Sequence, residues 1–350
     1  MRYTFFFISM IFIFTVKPVL ALGATVGVEE KVIVYNWSDY IPEGVLDSFT
    51  EETGIKVEYS TYNNNEIMYQ KLKLLKGRGY DILVPSTSLV DRMRNEGLIQ
   101  PINHTKLENF KLLNPSLLNK FYDPNNEFSI PYLWGSTGIA VNAKKIDPEK
   151  VQSWEDLWHV QWRNQILLTD DMRDAFDIAL KVNGHSINTT IPEEIKQAFE
   201  KLRSLMSNVK MLSVEPRIPF QSGDINLGVI WNGEAVTAHA DQSSVQYIYP
   251  KEGASFWVDS FVIPARAMNV ENAHKFIDYM LRPDVAARCV EDLGYATPNL
   301  AAKALLDKKT RENPTIFPPY DVLKKVEFKR DIGKAMELYM LYWGKLKTQG

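Results

Sequence analysis

The sequence predicts an α/β protein made of two similar units with a cleft between them, and three observations lead there. Strand-like and helix-like segments alternate from Lys31 to Gly97. The alternation resumes after a loop-rich interval containing "DPNNEFSIP". Length and composition allow it: 350 residues, 45% hydrophobic and 24% charged, suffice for two domains with sizeable cores. Alternation of this kind implies mostly parallel sheets covered by helices on both faces.

In the first unit "KVIVYNW" reads as a strand, and "GVLDSFTEETG" reads as a helix stopped by Gly54. "IKVEYSTY" is a second strand, "EIMYQKLKLLKG" a second helix, "YDILVPS" a third strand and "LVDRMRNEG" a third helix ending at Gly97. In the second unit the strand "NQILLTD" precedes the helical "DMRDAFDIALKVNG" and "PEEIKQAFEKLRSLM". The strand "INLGVIW" follows, then the helical "GEAVTAHA". "FWVDSFVIP" is a strand bounded by Gly253 and Pro264, and from about Asn269 the chain is mainly helical.

The first residues do not belong to this fold. Arg2 precedes the apolar run "FFFISMIFIFTV", and small residues follow in "VLALGA". That is the layout of a cleaved secretory signal peptide (1–21, cut after Ala21, or else after Ala24), and the run is too short to span a bilayer. The competing reading is an uncleaved amphipathic anchor. Removal takes away Arg2 and Lys17 and no acid, moving the formal charge from −3 to −5. That balance gives no basic footprint for nucleic acid. The sole cysteine, Cys289, rules out an internal disulfide framework, and no cysteine stands at the cleavage site to take a lipid. The expected protein is exported and soluble.

Open α/β sheets bind ligands at the carboxyl ends of their strands. Those ends carry "NWSDY" (Asn36 to Tyr40), "PSTS" (Pro85 to Ser88), Asp170, Asp171 and Asp174 after "ILLT", and Trp231 after "LGVI". In "FWVDSFVIP", Trp257 and Asp259 share one strand face, and no Lys or Arg lies within the run. A buried carboxylate protonates or finds a cation. Carboxylates attract ammonium groups, aromatic faces add ~0.5–2 kcal/mol each, and aromatic walls bury methylenes at roughly 0.8 kcal/mol per CH₂. The set therefore suits a long organic cation. Bland alternatives stand beside it: Trp231 as a core residue, Asp171 and Asp39 as caps, and Ser86 as a strand-end polar group.

Enzyme signatures are absent: there is no G-x-S-x-G, H-E-x-x-H, C-x-x-C or Gly-rich phosphate loop. The five histidines lack metal-ligand spacing. "DDMRD" is the one run that resembles an acid/base or metal site. No enzyme activity, cofactor or metal is expected.

In order along the chain stand "VYNWSDYIP", "STY", "YDILVPST", "SIPYLWGSTGIAVN", "LLTDDMRDAF", "NLGVIWNGEA", "FWVDSFVIP" and "LGYATPN". With these the sequence resembles the spermidine/putrescine-binding proteins, exported receptors of polyamine ABC importers, from about Lys31 to its end. The resemblance implies a two-lobed periplasmic-binding fold of type II, hinged around a central cleft. Its lobes would be residues 31–137 with 260–304, and 138–259 with 305–350. It implies a monomer that closes on a polyamine and docks on membrane permease subunits. Matched position by position, Trp37, Ser38, Asp39 and Tyr40 form the first binding segment and Ser86 the second. Asp171 and Asp174 become the acidic pair gripping one amine, and Ser213 a minor polar contact. Trp231, Trp257, Asp259 and Tyr295 supply walls and a carboxylate.

Three positions depart from spermidine-preferring members. Asp174 replaces a Glu, Ser88 replaces a Tyr that walls the channel, and Lys329 replaces a Gln that holds the far amine. An ammonium at Lys329 facing a ligand ammonium at ~4 Å costs roughly 4 kcal/mol at an effective dielectric near 20. A diamine such as putrescine is therefore expected to compete better here than in those relatives. Rival readings are a receptor of the same fold for ferric ion, an anion or a sugar, and an exported hydrolase using the "TDDMRD" carboxylates. Trp and Asp at the cleft argue against the first group.

Overall fold

The computed structural model describes residues 30–349, so the expected signal peptide lies outside the described residues. Among the described residues twelve strands occur in three sheets. In chain order they are β1 (Lys31–Trp37), β2 (Lys56–Tyr62), β3 (Ile82–Leu83), β4 (Ile99–Gln100), β5 (Ile130–Asn142) and β6 (Ile166–Thr169). Then come β7 (Val209–Ser213), β8 (Leu227–Trp231), β9 (Val245–Ile248), β10 (Ser255–Phe261), β11 (Ile263–Pro264) and β12 (Glu327–Phe328).

The first sheet has the order β2-β1-β3 and is parallel throughout. Helices α1 (Val45–Thr53), α2 (Asn65–Leu74) and α3 (Thr87–Asn95) connect and follow its strands. Val32, Val34 and Phe49 are fully buried between sheet and helices, so the alternation read from the sequence corresponds to real core faces.

The second sheet departs from the expected mostly parallel arrangement. Its path is β12-β10-β5-β8-β6-β7, with β9 also pairing β5. Pairs β6–β7, β6–β8 and β10–β12 are parallel, whereas β5 runs antiparallel to β8, β9 and β10. The strand responsible, β5, is almost wholly buried along its 13 residues. A strand covered on both faces shows no polar alternation, and Pro131, Gly135 and Gly138 read as breakers. At Gly135 the lack of a side chain is needed: a Cβ there would lie 2.3 Å from Asn232 Oδ1 and 2.7 Å from the Trp257 ring. Helices α4 (Met172–Val182), α5 (Pro192–Leu205), α6 (Arg217–Ser222) and α7 (Asn232–Asp241) surround this sheet. The long C-terminal helix, Ala335–Gln349, packs on the same core through Met336, Tyr339 and Trp343.

β10 joins the two halves. Residues 255–261 pair with β5, and Ser255 and Phe256 also pair with β12, in the second sheet. Its register slips between Asp259 and Ser260, where Asp259 bridges to Ser86 and the Ser260 amide donates to the Pro85 carbonyl at 3.1 Å. The chain then continues into β11, which pairs with β4. Asp259 thus stands at the register slip, where β10 still pairs with β5 while also touching the first-sheet half through Ser86 and Pro85.

Candidate ligand-binding site

All the residues matched to binding positions from the sequence except Ser213 line one cavity between the two halves, whereas Asp170, also at a strand end, does not. Ser213 ends β7, where its Oγ accepts the Glu215 amide at 3.0 Å; its neighbours Val214 and Glu215 reach the cavity instead. That corrects the expected contact. Adjacent side chains on an extended chain point to opposite sides, so the residue beside a lining residue need not line the cavity itself.

At the centre Asp259 is 4% exposed. Tyr40 Oη donates to Asp259 Oδ2 at 2.8 Å, and Ser86 Oγ donates to Oδ1. Burial pushes its carboxyl up to about 7, against the opposing pull of Ser86, Tyr40 and the Lys329 charge. Both hydrogen-bonding partners are neutral hydroxyls. The surrounding wall is aromatic: Tyr295 packs edge-on against Tyr40 at 5.4 Å and against Trp257 at 5.4 Å. Trp37, at the end of β1, is fixed by its indole N–H donating to the Val84 carbonyl at 2.9 Å. Gly233 permits the close approach of Tyr295, since a Cβ there would sit 2.5 Å from its ring.

One end of the cavity is built on the first turn of α4. Asp171 caps this helix, accepting the Asp174 amide at 2.8 Å, and also lines the cavity, so capping and facing the cleft are not alternatives. Burial and the neighbouring Asp174 raise its carboxyl above the usual range, against Lys329 and Arg173. Asp174 lines the cavity too, but its oxygens are already bonded. Oδ1 accepts from Thr137 Oγ1 at 3.1 Å and from Lys329 Nζ, and Oδ2 accepts from the Trp231 indole at 2.8 Å. The sequence reading had this carboxylate holding a ligand amine; here it holds Lys329.

Lys329 is drawn inward, away from solvent. It is 8% exposed, and its Nζ also lies 3.6 Å from Asp177 Oδ2. Burial disfavours its charge, but Asp174, Asp177 and Asp171 together outweigh that and hold the ammonium charged well above the usual lysine range. Asp177, three residues on from Asp174 on the same helix face, is 1% exposed, and burial pushes it up to about 6.

Asp39 occupies a left-handed conformation (φ 50°) at the turn after β1. Ser38 and Ser88 complete the first-sheet wall. Several lining residues were not anticipated: Asn63, Asn65, Glu66, Arg173, Glu215, Arg217 and Glu234. Arg173 is anchored by donating to the Arg330 and Ile187 carbonyls at 3.2 and 3.1 Å. Seven carboxylates and three cationic side chains line the cavity, so its field favours positive charge.

A family model of bacterial extracellular solute-binding proteins matches residues 44–318. The chain belongs to that family. This solute-binding protein is 48% identical over 333 residues to the "spermidine/putrescine-binding periplasmic protein" of Salmonella typhimurium, covering 94% of this chain and 96% of the relative. It is 34% identical over 323 residues to the Escherichia coli "putrescine-binding periplasmic protein PotF", covering 86% and 87%. A solved structure described as a "putative spermidine/putrescine ABC transporter from Listeria monocytogenes" superposes with a TM-score of 0.88 at 35% identity, covering 92% of this chain and all of that one. These matches establish the type II solute-binding fold, and among the described residues no helix of this solute-binding protein is long and apolar enough to cross a membrane.

Proposed function

We propose that this solute-binding protein captures a polyamine and delivers it to an ABC importer without chemical change. One observation carries the reading: Asp259, enclosed by Tyr40, Trp257 and Tyr295, has only neutral hydroxyl partners in a cavity whose lining is net acidic. A primary ammonium there supplies the missing charge, and the aromatic walls cover its methylenes. The relatives' names point to the same cargo. An anion would face the excess of carboxylates. The "TDDMRD" hydrolase reading has no free acid/base pair: Asp170 is paired with Lys347 at 3.1 Å, Asp171 caps α4, and Asp174 is fully bonded.

Between putrescine and spermidine, Lys329 favours the diamine. It already neutralises part of the acidic end, and a third ligand ammonium would meet its charge. The lobes would be 31–137 with 260–304 and 138–259 with 305–350. They would close about two crossovers, near Trp134 to Gly138 on β5 and at the register slip beside Ser260. Residues 1–21 would direct export to the periplasm and be removed, leaving a monomer that presents its closed form to the permease subunits.

The deciding experiment is calorimetric titration of the unfolded and refolded mature chain with putrescine and spermidine. Saturable one-to-one binding is expected, with compaction in small-angle scattering. Asp171→Ala should abolish binding while the parent shows no turnover of either amine. Silence with both amines would end the polyamine reading.

A second expectation concerns the rim. Arg92, on α3, donates to Asp331 Oδ1 at 2.5 Å and to the Gly333 carbonyl at 3.1 Å, and the Arg330 guanidinium lies 4.2 Å from the Phe121 ring centre. These contacts tie the segment carrying Lys329 to the first-sheet half. The pair is partly buried at the rim (side chains 13% and 20% exposed) and still reached by water, so it is worth about 1 kcal/mol. Arg92→Ala should weaken polyamine binding about two- to fivefold at low salt, and less at high salt. Unchanged affinity at low salt would show that the contact does not assist closure.

A further inference from the structure

Asp177 is a buried carboxylate just outside the cavity wall. It follows Asp174 by three residues on α4, which places the two acids on one helix face. Asp174 lines the cavity and Asp177 does not. The Lys329 ammonium serves both: Nζ donates to Asp174 Oδ1 and lies 3.6 Å from Asp177 Oδ2. Asp177 is 1% exposed, yet among the described residues neither of its oxygens accepts a hydrogen bond of ordinary geometry.

An aspartate beside a buried lysine has an ordinary explanation as its structural counter-ion. That explanation predicts a charge-assisted hydrogen bond of about 2.7–2.9 Å, because buried carboxylates are normally hydrogen-bonded. Instead the ammonium sits on Asp174, whose oxygens already accept from Thr137 at 3.1 Å and from the Trp231 indole at 2.8 Å. Arg173, on the same helix, donates to the Arg330 and Ile187 carbonyls and to Asn188 Oδ1. The lysine thus occupies the well-furnished seat facing the cavity and leaves a second one behind it. Less than about 1 Å of travel would bring Nζ from 3.6 Å into hydrogen-bond range of Asp177. The backbone need not follow: Phe328 pairs with Phe256 of β10, and the Arg330 amide donates to Asn188 Oδ1 at 2.6 Å, so a side-chain rotation suffices.

We propose that Asp177 is a positioning residue that sets selection between diamine and triamine: it is the second seat of Lys329, which moves onto it from Asp174 when a ligand ammonium arrives at Asp174. This rests on the polyamine reading and deepens it. With the lysine forward, Asp174 is taken, and the cavity suits a ligand whose charge is met at Asp259. With the lysine back, Asp174 accepts a further ammonium, and its carboxylate stands between the two cations. The shift lessens the repulsion that disfavours a third ligand ammonium without removing it, because both cations stay within one small volume. A ligand that leaves Asp174 to the lysine gains nothing from Asp177.

The test titrates the mature protein, Asp177→Asn, Lys329→Gln and the double variant with putrescine and with spermidine. The pH is held above the value of about 6 to which burial raises Asp177, so that the parent carries the charge. Asp177→Asn should bind spermidine about tenfold more weakly than the parent, with putrescine changed by less than about twofold. In the Lys329→Gln background the same substitution should change neither affinity, because no cation remains to be reseated. A merely structural Asp177 would weaken both amines in both backgrounds. Crystal structures of the parent with each amine need no variant to fold: Lys329 should be bonded to Asp177 in the spermidine complex and to Asp174 in the putrescine complex. Equal weakening of the two amines, or a lysine that stays on Asp174 beside spermidine, would overturn the assignment. A parent that binds putrescine but no spermidine would overturn the assignment alone, and one that binds neither would overturn the polyamine reading as well.

Discussion

Asp259→Asn is expected to weaken polyamine binding by at least about a hundredfold and to flatten its pH dependence. Removing one partner of a buried charge pair costs ~3–5 kcal/mol, and each ~1.4 kcal/mol is a decade of affinity. Asn keeps the shape, with its amide oxygen accepting from one of the two hydroxyls and its NH2 group donating to the other once that hydroxyl rotates, so the loss reports charge more than packing. The pH effect follows from the carboxyl raised to about 7. A bound ammonium selects the ionised form. Below about pH 7 a proton must leave on binding, and affinity should fall towards tenfold per pH unit; above that it should level off. In the unliganded protein the sense is reversed. Between the ordinary carboxylate range and about 7 the folded chain holds a proton that the unfolded chain has lost, so this group's contribution to stability falls as pH rises through that window. Calorimetry in buffers of different ionisation enthalpy would detect the proton released. A parent affinity independent of pH across this range would contradict the assignment.

Lys329→Gln is expected to act in two directions. Without ligand, Asp174 and Asp177 lose the cation between them, a loss of ~3–5 kcal/mol, or about 5–10 °C in melting temperature for a chain of this size. With ligand, the acidic end becomes free to take a ligand ammonium. Spermidine should then gain relative to putrescine, with an upper limit near the roughly 4 kcal/mol of the repulsion removed, about three decades. Spermidine should also restore more of the lost melting temperature than putrescine at equal saturation. Equal effects on the two amines would show that Lys329 plays no part in selection.

Much of the site was legible because strand ends in α/β sheets converge and the residue types there were unusual. Trp37, Asp39, Ser86, Asp171 and Trp231 all end strands or begin the following turn, and all line the cavity. Asp259 was legible for another reason: a carboxylate inside an apolar strand calls for a partner. Glu66 and Glu234 were not legible, because an acid in a first helical turn looks the same whether it faces solvent or a cleft. β5 escaped the periodicity argument because burial on both faces removes the alternation that marks a strand. Ser213 ends its strand just short of the cavity that its neighbour Val214 lines.

Local chemistry along the chain determined the alternating elements, the ends at which function gathers and the preference for a cation, since these depend on residue type and short-range spacing. Tertiary structure alone decided that Lys329 lies between Asp174 and Asp177, that Asp174 is thereby taken up, and that Glu66 and Glu234 line the cavity. Charges separated by many tens of residues interact only when the fold brings them within a few ångströms and strips away the water between them, and neither distance nor desolvation is written in sequence spacing.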